Sequence, residues 1–157
     1  MCFFGKGKHV AAIACLKRAL YLDPFEWIVA YNLGLLHLHT EQFASAFHYL
    51  TAAINLRPAF AAAYVQLGLA LTRLDDLDNA CAAFEKGLAL ERSYLAHLNF
   101  AVTLQACGRE QRAAEQLRLF DEALAALPRA ARLQADDDAD IAGTRRELGE
   151  LLGVSVR

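Results

Sequence analysis

Residues 27–60, WIVAYNLGLLHLHTEQFASAFHYLTAAINLRPAF, decide the fold. Apolar residues recur at helical spacing on both sides of Thr40-Glu41-Gln42. Arg57-Pro58 ends the second run, because proline lacks the amide that a continuing helix needs. The segment therefore reads as two helices joined by a short turn, and the same pattern returns along the chain. Pro24 and Pro58 are 34 residues apart, as are Gly34 and Gly68, Leu33 and Leu67, Ala19 and Ala53, and Ala46 and Ala80. A further step of 33 carries Leu67 to Phe100, Ala80 to Ala113 and Phe84 to Leu117. A period of this length marks a stacked array of like units. Glycine and alanine let two helix backbones approach, and large residues fill the space beside them.

Composition agrees. Of 157 residues, 56% are hydrophobic and 22% charged, which excludes a disordered tail. Alanine (31) and leucine (27) far outnumber valine and isoleucine (10 together), a balance that favours helix over strand. The net charge of −2 provides no basic field for nucleic acid, so none is expected as a partner. The longest uncharged stretches, Trp27 to Thr40 and Pro58 to Thr72, fall short of the ~20 apolar residues that a membrane span requires. Met1 to Lys8 lacks the pattern of a secretory leader. Cys2, Cys15, Cys81 and Cys107 are widely spaced, which favours thiols in a reducing, cytoplasmic compartment over a disulfide framework.

The repeat resembles the tetratricopeptide repeat, which places a large residue, Leu, Gly and an aromatic on one helix and Ala, an aromatic, Ala and Pro on the next. The expected fold is all-α, a right-handed superhelical solenoid of antiparallel helix pairs. Its divisions are a partial repeat over 1–26, repeats over 27–60 and 61–93, a degenerate repeat over 94–127, and a loop with a C-terminal capping helix over 128–157. In the degenerate unit Ala101 replaces the glycine and Phe120 the second small residue. Helices are predicted near 9–22, 27–39, 43–56, 61–73, 77–90, 94–106, 110–126 and 138–153, the last capped by Asp136-Asp137-Asp138, with an apolar stripe of Ile141, Arg145, Leu148, Leu151 and Leu152. Met1 falls inside the first helix of a repeat, so the chain is expected to begin within a longer array. Gly5-Lys6-Gly7-Lys8 reads as a turn at a helix corner.

Catalytic chemistry is hard to assemble from these residues. His37 and His39 are two apart on a helix and point to different faces, unlike the i, i+4 metal pair of a zincin. Cys15 and Cys81 stand where small buried residues are wanted, and Cys107 falls in a turn. Asp136 to Asp140 lacks the ligand spacing of a calcium loop. No metal, cofactor or small-molecule substrate is expected, and no set of nucleophile, base and stabiliser is present to argue for an enzyme.

The polar set of interest is Asn32, Gln66 and Asn99, one per repeat at the same position. In arrays of this kind that position faces a concave groove. A ligand-binding role and a structural ladder of amides both fit. Around them stand Tyr31, Leu35, Leu38, Val65, Leu69, Leu98 and Val102, so the ten residues together form a candidate groove for an apolar helix or chain segment. Co-chaperones of this family hold a peptide carboxylate with a clamp of lysine, asparagine and arginine. The matching positions here are Tyr31, Leu35, Leu95 and Asn99, without a cation, which disfavours that activity.

Some runs exceed what the repeat demands: Pro-Phe-x-Trp at 24–27 and Ala-Ser-Ala-Phe-His at 44–48, with Leu69-Ala-Leu-Thr-Arg-Leu-Asp-Asp-Leu-Asp-Asn-Ala and Leu98-Asn-Phe-Ala-Val-Thr-Leu-Gln-Ala-Cys-Gly continuing them. Over about residues 6–127 the chain resembles the Bardet–Biedl syndrome protein 4 family, subunits of the BBSome. The resemblance implies the C-terminal part of a non-catalytic scaffold in a coat-like complex for ciliary membrane-protein trafficking and cilium assembly. It implies other BBSome subunits and centriolar satellite proteins as partners, location at the cilium, ciliary base and centrosome, and membrane contact only indirectly through the complex. The alternative is a free-standing peptide-binding adaptor or a regulatory module of another assembly.

Overall fold

The computed structural model describes the backbone of residues 3–154 and the side chains of residues 7–154. The described residues form nine α-helices and no strand, in two compact units, Met1–Leu90 and Glu91–Arg157. The first contains α1 (Phe3–Leu22), α2 (Trp27–His39), α3 (Phe43–Leu56), α4 (Ala61–Arg73) and α5 (Leu77–Leu90). Within it α2 pairs with α3 and α4 with α5, while α3 also packs on α4 and α1 on α2. The second contains α6 (Tyr94–Ala106), α7 (Glu110–Ala125), α8 (Arg129–Asp136) and α9 (Ala139–Leu152); α6 pairs with α7, and α9 packs on α7 and α8.

The three hairpin turns share one construction. Glu41, Asp75 and Gly108, separated by the repeat period, adopt left-handed backbone with φ of 58°, 63° and 70°. The next amide then reaches back over the helix end: Gln42 N–H donates to the His37 carbonyl at 2.8 Å, Asp76 to Leu71 at 3.0 Å, and Arg109 to Leu104 at 2.9 Å. Carbonyls that the helix end would leave unpaired are satisfied in this way. α9 closes alike, with Gly153 at φ 65° and Val154 N–H donating to the Gly149 carbonyl at 2.9 Å. At its start the Asp138 carboxylate accepts from the amides of Asp140 and Ile141, as the acidic run predicts.

Packing inside the hairpins follows the small–large rule. A Cβ placed on Gly34 would stand 2.6 Å from Leu50 Cγ, and one on Gly68 would stand 2.9 Å from the Phe84 ring, so each glycine marks a close approach. Leu50 and Phe84 are completely buried there, beside Ala46 and Ala80, which are equally buried. In the second unit Leu98, Ala101, Leu117, Phe120 and Leu148 form the core, with Ile141 and Leu152 packed against it. α9 is also held by charge: Arg145 Nε and Nη2 donate to the two Asp121 carboxylate oxygens at 2.7 and 2.6 Å. This is the paired fork geometry that makes arginine–carboxylate contacts strong.

Several expectations are corrected. Residues 5–8 are not a corner: α1 runs unbroken from Phe3. A helical glycine costs only about 1 kcal/mol against alanine, too little to stop a helix whose flanks both propagate. Residues 129–136, expected as loop, form α8 after Pro128, whose ring suits a helix start. Cys15 is exposed, not buried as expected. Cys81 is buried, whereas Leu151 leaves the α9 stripe at 70% exposure.

Candidate protein-binding surface

Tyr31, Leu35 and Leu38 recur at i, i+4 and i+7 on α2, and Val65 and Leu69 at i and i+4 on α4, spacings that place each set along one helix face. Asn32 and Gln66 lie at the matching position of each helix. All seven are half-buried. α2 and α4 touch one another. Tyr31 and Leu38 lean on the core of Ala46, Leu50 and Ala70, and burial raises the Tyr31 phenol above its ordinary pKa. Val65 turns toward α5, where its Cγ2 would lie 3.1 Å from a Cβ on Gly87.

An aromatic stack stiffens the N-terminal end of this face. Phe60 stands edge-on to both Trp27 and Tyr31, with centroids 4.8 and 4.9 Å apart, and the Arg57 guanidinium lies 4.3 Å from the Trp27 ring centre. Edge-to-face attraction holds the Tyr31 ring against Phe60, and cation–π attraction holds Arg57 on Trp27.

In the second unit Asn99 is half-buried and Val102 is 36% exposed, both on α6. Leu98 differs from the expectation: it is 4% exposed and belongs to the core with Phe120 and Leu148. The reason is α9, which brings Leu148 against this core. The position is therefore spent on packing.

Two buried histidines serve the hairpins. His37 Nδ1 lies 2.6 Å from Gln42 Oε1 across the first turn, and its ring stacks on Tyr49 at 5.3 Å. His97 Nδ1 lies 2.8 Å from Gln116 Oε1 and ties α6 to α7. Two features escaped the sequence reading. One is a cleft of about 850 Å3 in the second unit, lined by Arg118, Asp121, Glu122, Arg132, Asp136 and Val154 among others. The other is the corner between α1 and α2, where Tyr21, Leu22 and Phe25 are 85%, 76% and 79% exposed. The second had a signal, because Pro-Phe-x-Trp exceeds the needs of the repeat. Among the described residues no cluster of three or more His, Cys, Asp or Glu side chains is placed to hold a metal ion, and no helix is long and apolar enough to cross a membrane.

The tetratricopeptide repeat family matches residues 29–60 and 61–94. MamA 41-end from Desulfovibrio magneticus RS-1 superposes with a TM-score of 0.71 at 25% identity, covering 75% of this chain and 67% of that one. The first tetratricopeptide domain of Spaghetti (RPAP3), bound to an HSP90 peptide SRMEEVD, gives a TM-score of 0.63 at 26% identity, over 68% of this chain and 85% of that one. The chain is a tetratricopeptide-repeat protein. Its sequence is 44% identical over 155 residues to the BBSome complex member BBS4 of Xenopus tropicalis, across 98% of this chain and 30% of the relative. Over that stretch it is a homologue of the BBS4 family, and it spans about 30% of such a relative's length.

Proposed function

We propose that the chain is part of a non-catalytic protein-interaction scaffold, a subunit of a BBSome-type complex acting in ciliary membrane-protein trafficking and cilium assembly. The observation that carries this reading is the 44% identity to a BBSome complex member across 98% of the chain. Partners are other subunits of the complex and centriolar satellite proteins, met in the cytoplasm, at the ciliary base and at the centrosome, with the membrane reached only through the assembly. Tyr31, Asn32, Leu35, Leu38, Val65, Gln66 and Leu69 supply one contact surface and Asn99 and Val102 another, where apolar side chains anchor a chain segment and amides hydrogen-bond its backbone.

The test is affinity purification of the tagged protein from ciliated cells, with co-purifying proteins identified and quantified. Recovery of the remaining BBSome subunits in near-equal amounts is expected. A different, substoichiometric set would overturn the assignment and favour a free-standing peptide-binding adaptor, a reading supported by the fold likeness to a peptide-bound tetratricopeptide domain.

A further inference from the structure

The corner between α1 and α2 lies apart from the candidate groove and carries an unusual surface. Tyr21, Leu22 and Phe25 fall within five residues and are each more than three-quarters exposed. Exposed large apolar groups standing singly need no explanation, but a cluster does. The repeat supplies an internal control. The next corner puts Asn55, Leu56 and Ala59 at the register of Tyr21, Leu22 and Phe25, and Ala89 follows Asn55 at the end of α5. Asn55, Ala59 and Ala89 are exposed as well, so the outward direction belongs to the repeat, while the two aromatics are particular to this corner. The 57–60 corner forms without them; aromatic bulk is not needed to turn the chain.

The corner is also closed by hydrogen bonds. Asp23 N–H donates to the Ala19 carbonyl at 2.9 Å, and the Asp23 carboxylate accepts from Phe25 N–H at 3.1 Å. One turn back on α1, Lys17 and Arg18 are exposed at i−4 from Tyr21 and Leu22. Neither α1 nor α2 contains an aspartate or glutamate to neutralise them. The carboxylates nearest along the chain, Asp23 and Glu26, sit in the connector, where Asp23 holds the turn and Glu26 stands at the positive N-terminus of α2.

We propose that this corner is a docking site for an acidic, amphipathic protein segment, whose apolar residues cover Tyr21, Leu22 and Phe25 while its carboxylates face Lys17 and Arg18. Charge complementarity selects this occupant: a cationic turn beside an aromatic pair attracts a segment in which aspartate or glutamate adjoins a large apolar anchor. The inference is independent of what fills the groove.

The test is selection of a displayed random peptide library on the whole chain, repeated on a Tyr21→Ser, Phe25→Ser double variant and on a Lys17→Glu, Arg18→Glu variant. Circular dichroism and thermal unfolding check that each keeps its helices, and a variant that melts early is replaced by the single substitution Phe25→Ser. Enriched peptides are expected to join acidic residues to leucine or aromatic anchors. Their affinity should fall about tenfold or more in both variants and weaken with added salt, as for a rim of opposite charges. The proposal is overturned by peptides without acidic bias, by equal binding to the variants, by no enrichment at all, or by a corner-dependent binding seen only with phosphatidylserine vesicles, which would assign the surface to a membrane.

Discussion

The α4–α5 and α6–α7 hairpins resolve one repeat position in opposite ways. In the first, Gly87 occupies it, and a Cβ there would lie 3.1 Å from Val65 and 3.3 Å from the Ala61 carbonyl oxygen, so backbone meets side chain directly. In the second, Phe120 occupies it, is 1% exposed, and packs with Leu98 and Tyr94, which stand at the register of Val65 and Ala61. Small answers small, and large answers large. The pairing of Gly68 with Phe84 against Ala101 with Leu117 varies in the opposite sense, by compensation, the larger partner lying opposite the smaller residue. The repeat therefore conserves the fit between paired positions, and a residue's size has meaning only beside its partner's.

The severest way to break this comparison is Phe120→Ala. If the position merely requires a small residue, as Ala53 and Gly87 suggest in isolation, the change is harmless. If paired volume governs, Tyr94 and Leu98 are left around a cavity and stability falls by about 3–5 kcal/mol, read from urea unfolding. A smaller loss is expected from Gly68→Leu, whose side chain would enter the Phe84 ring, at about 1–3 kcal/mol. Gly68→Ala joined to Phe84→Leu imports the α6–α7 pairing and should recover most of what Gly68→Ala alone costs. A double-mutant cycle with no coupling would show that the two positions do not sense each other. The smallest effect concerns the turns. Glu41 and Asp75 hold the left-handed conformation that Gly108 adopts without a side-chain clash. Glu41→Gly and Asp75→Gly should each stabilise by about 0.5–1 kcal/mol, visible as a raised Tm, whereas Gly108→Ala should lower it.

Much of this fold was legible in the chain. Gly34 and Gly68 are signals that act within a hairpin and Pro24 and Pro58 are signals that act between hairpins, and the helices from Trp27 to Ala106 end at the residues that the pattern predicts. α8 was missed because Arg129 to Asp136 is a single short stretch whose helical state depends on packing against α7 and α9. Gly5 and Gly7 misled for the reverse reason: a breaker was weighed without the helix on either side of it. The surface was read less well. Tyr31, Leu35 and Leu69 are half-buried on helix faces, whereas Leu98, at the register of Tyr31, is core. Nothing within the repeat distinguishes them.

The helix pairs, their period, their turns and the glycine contacts were readable from the chain alone, since each rests on interactions between residues close in the chain or locked to one repeat register. Which apolar positions stay open depends on long-range packing. Arg145 reaches Asp121 across 24 residues and draws α9 over Leu98, while Tyr21 and Phe25 remain uncovered. Exposure is a property of whatever packs from elsewhere, and the burial of apolar area that drives such packing is non-directional, so it leaves no local pattern to read.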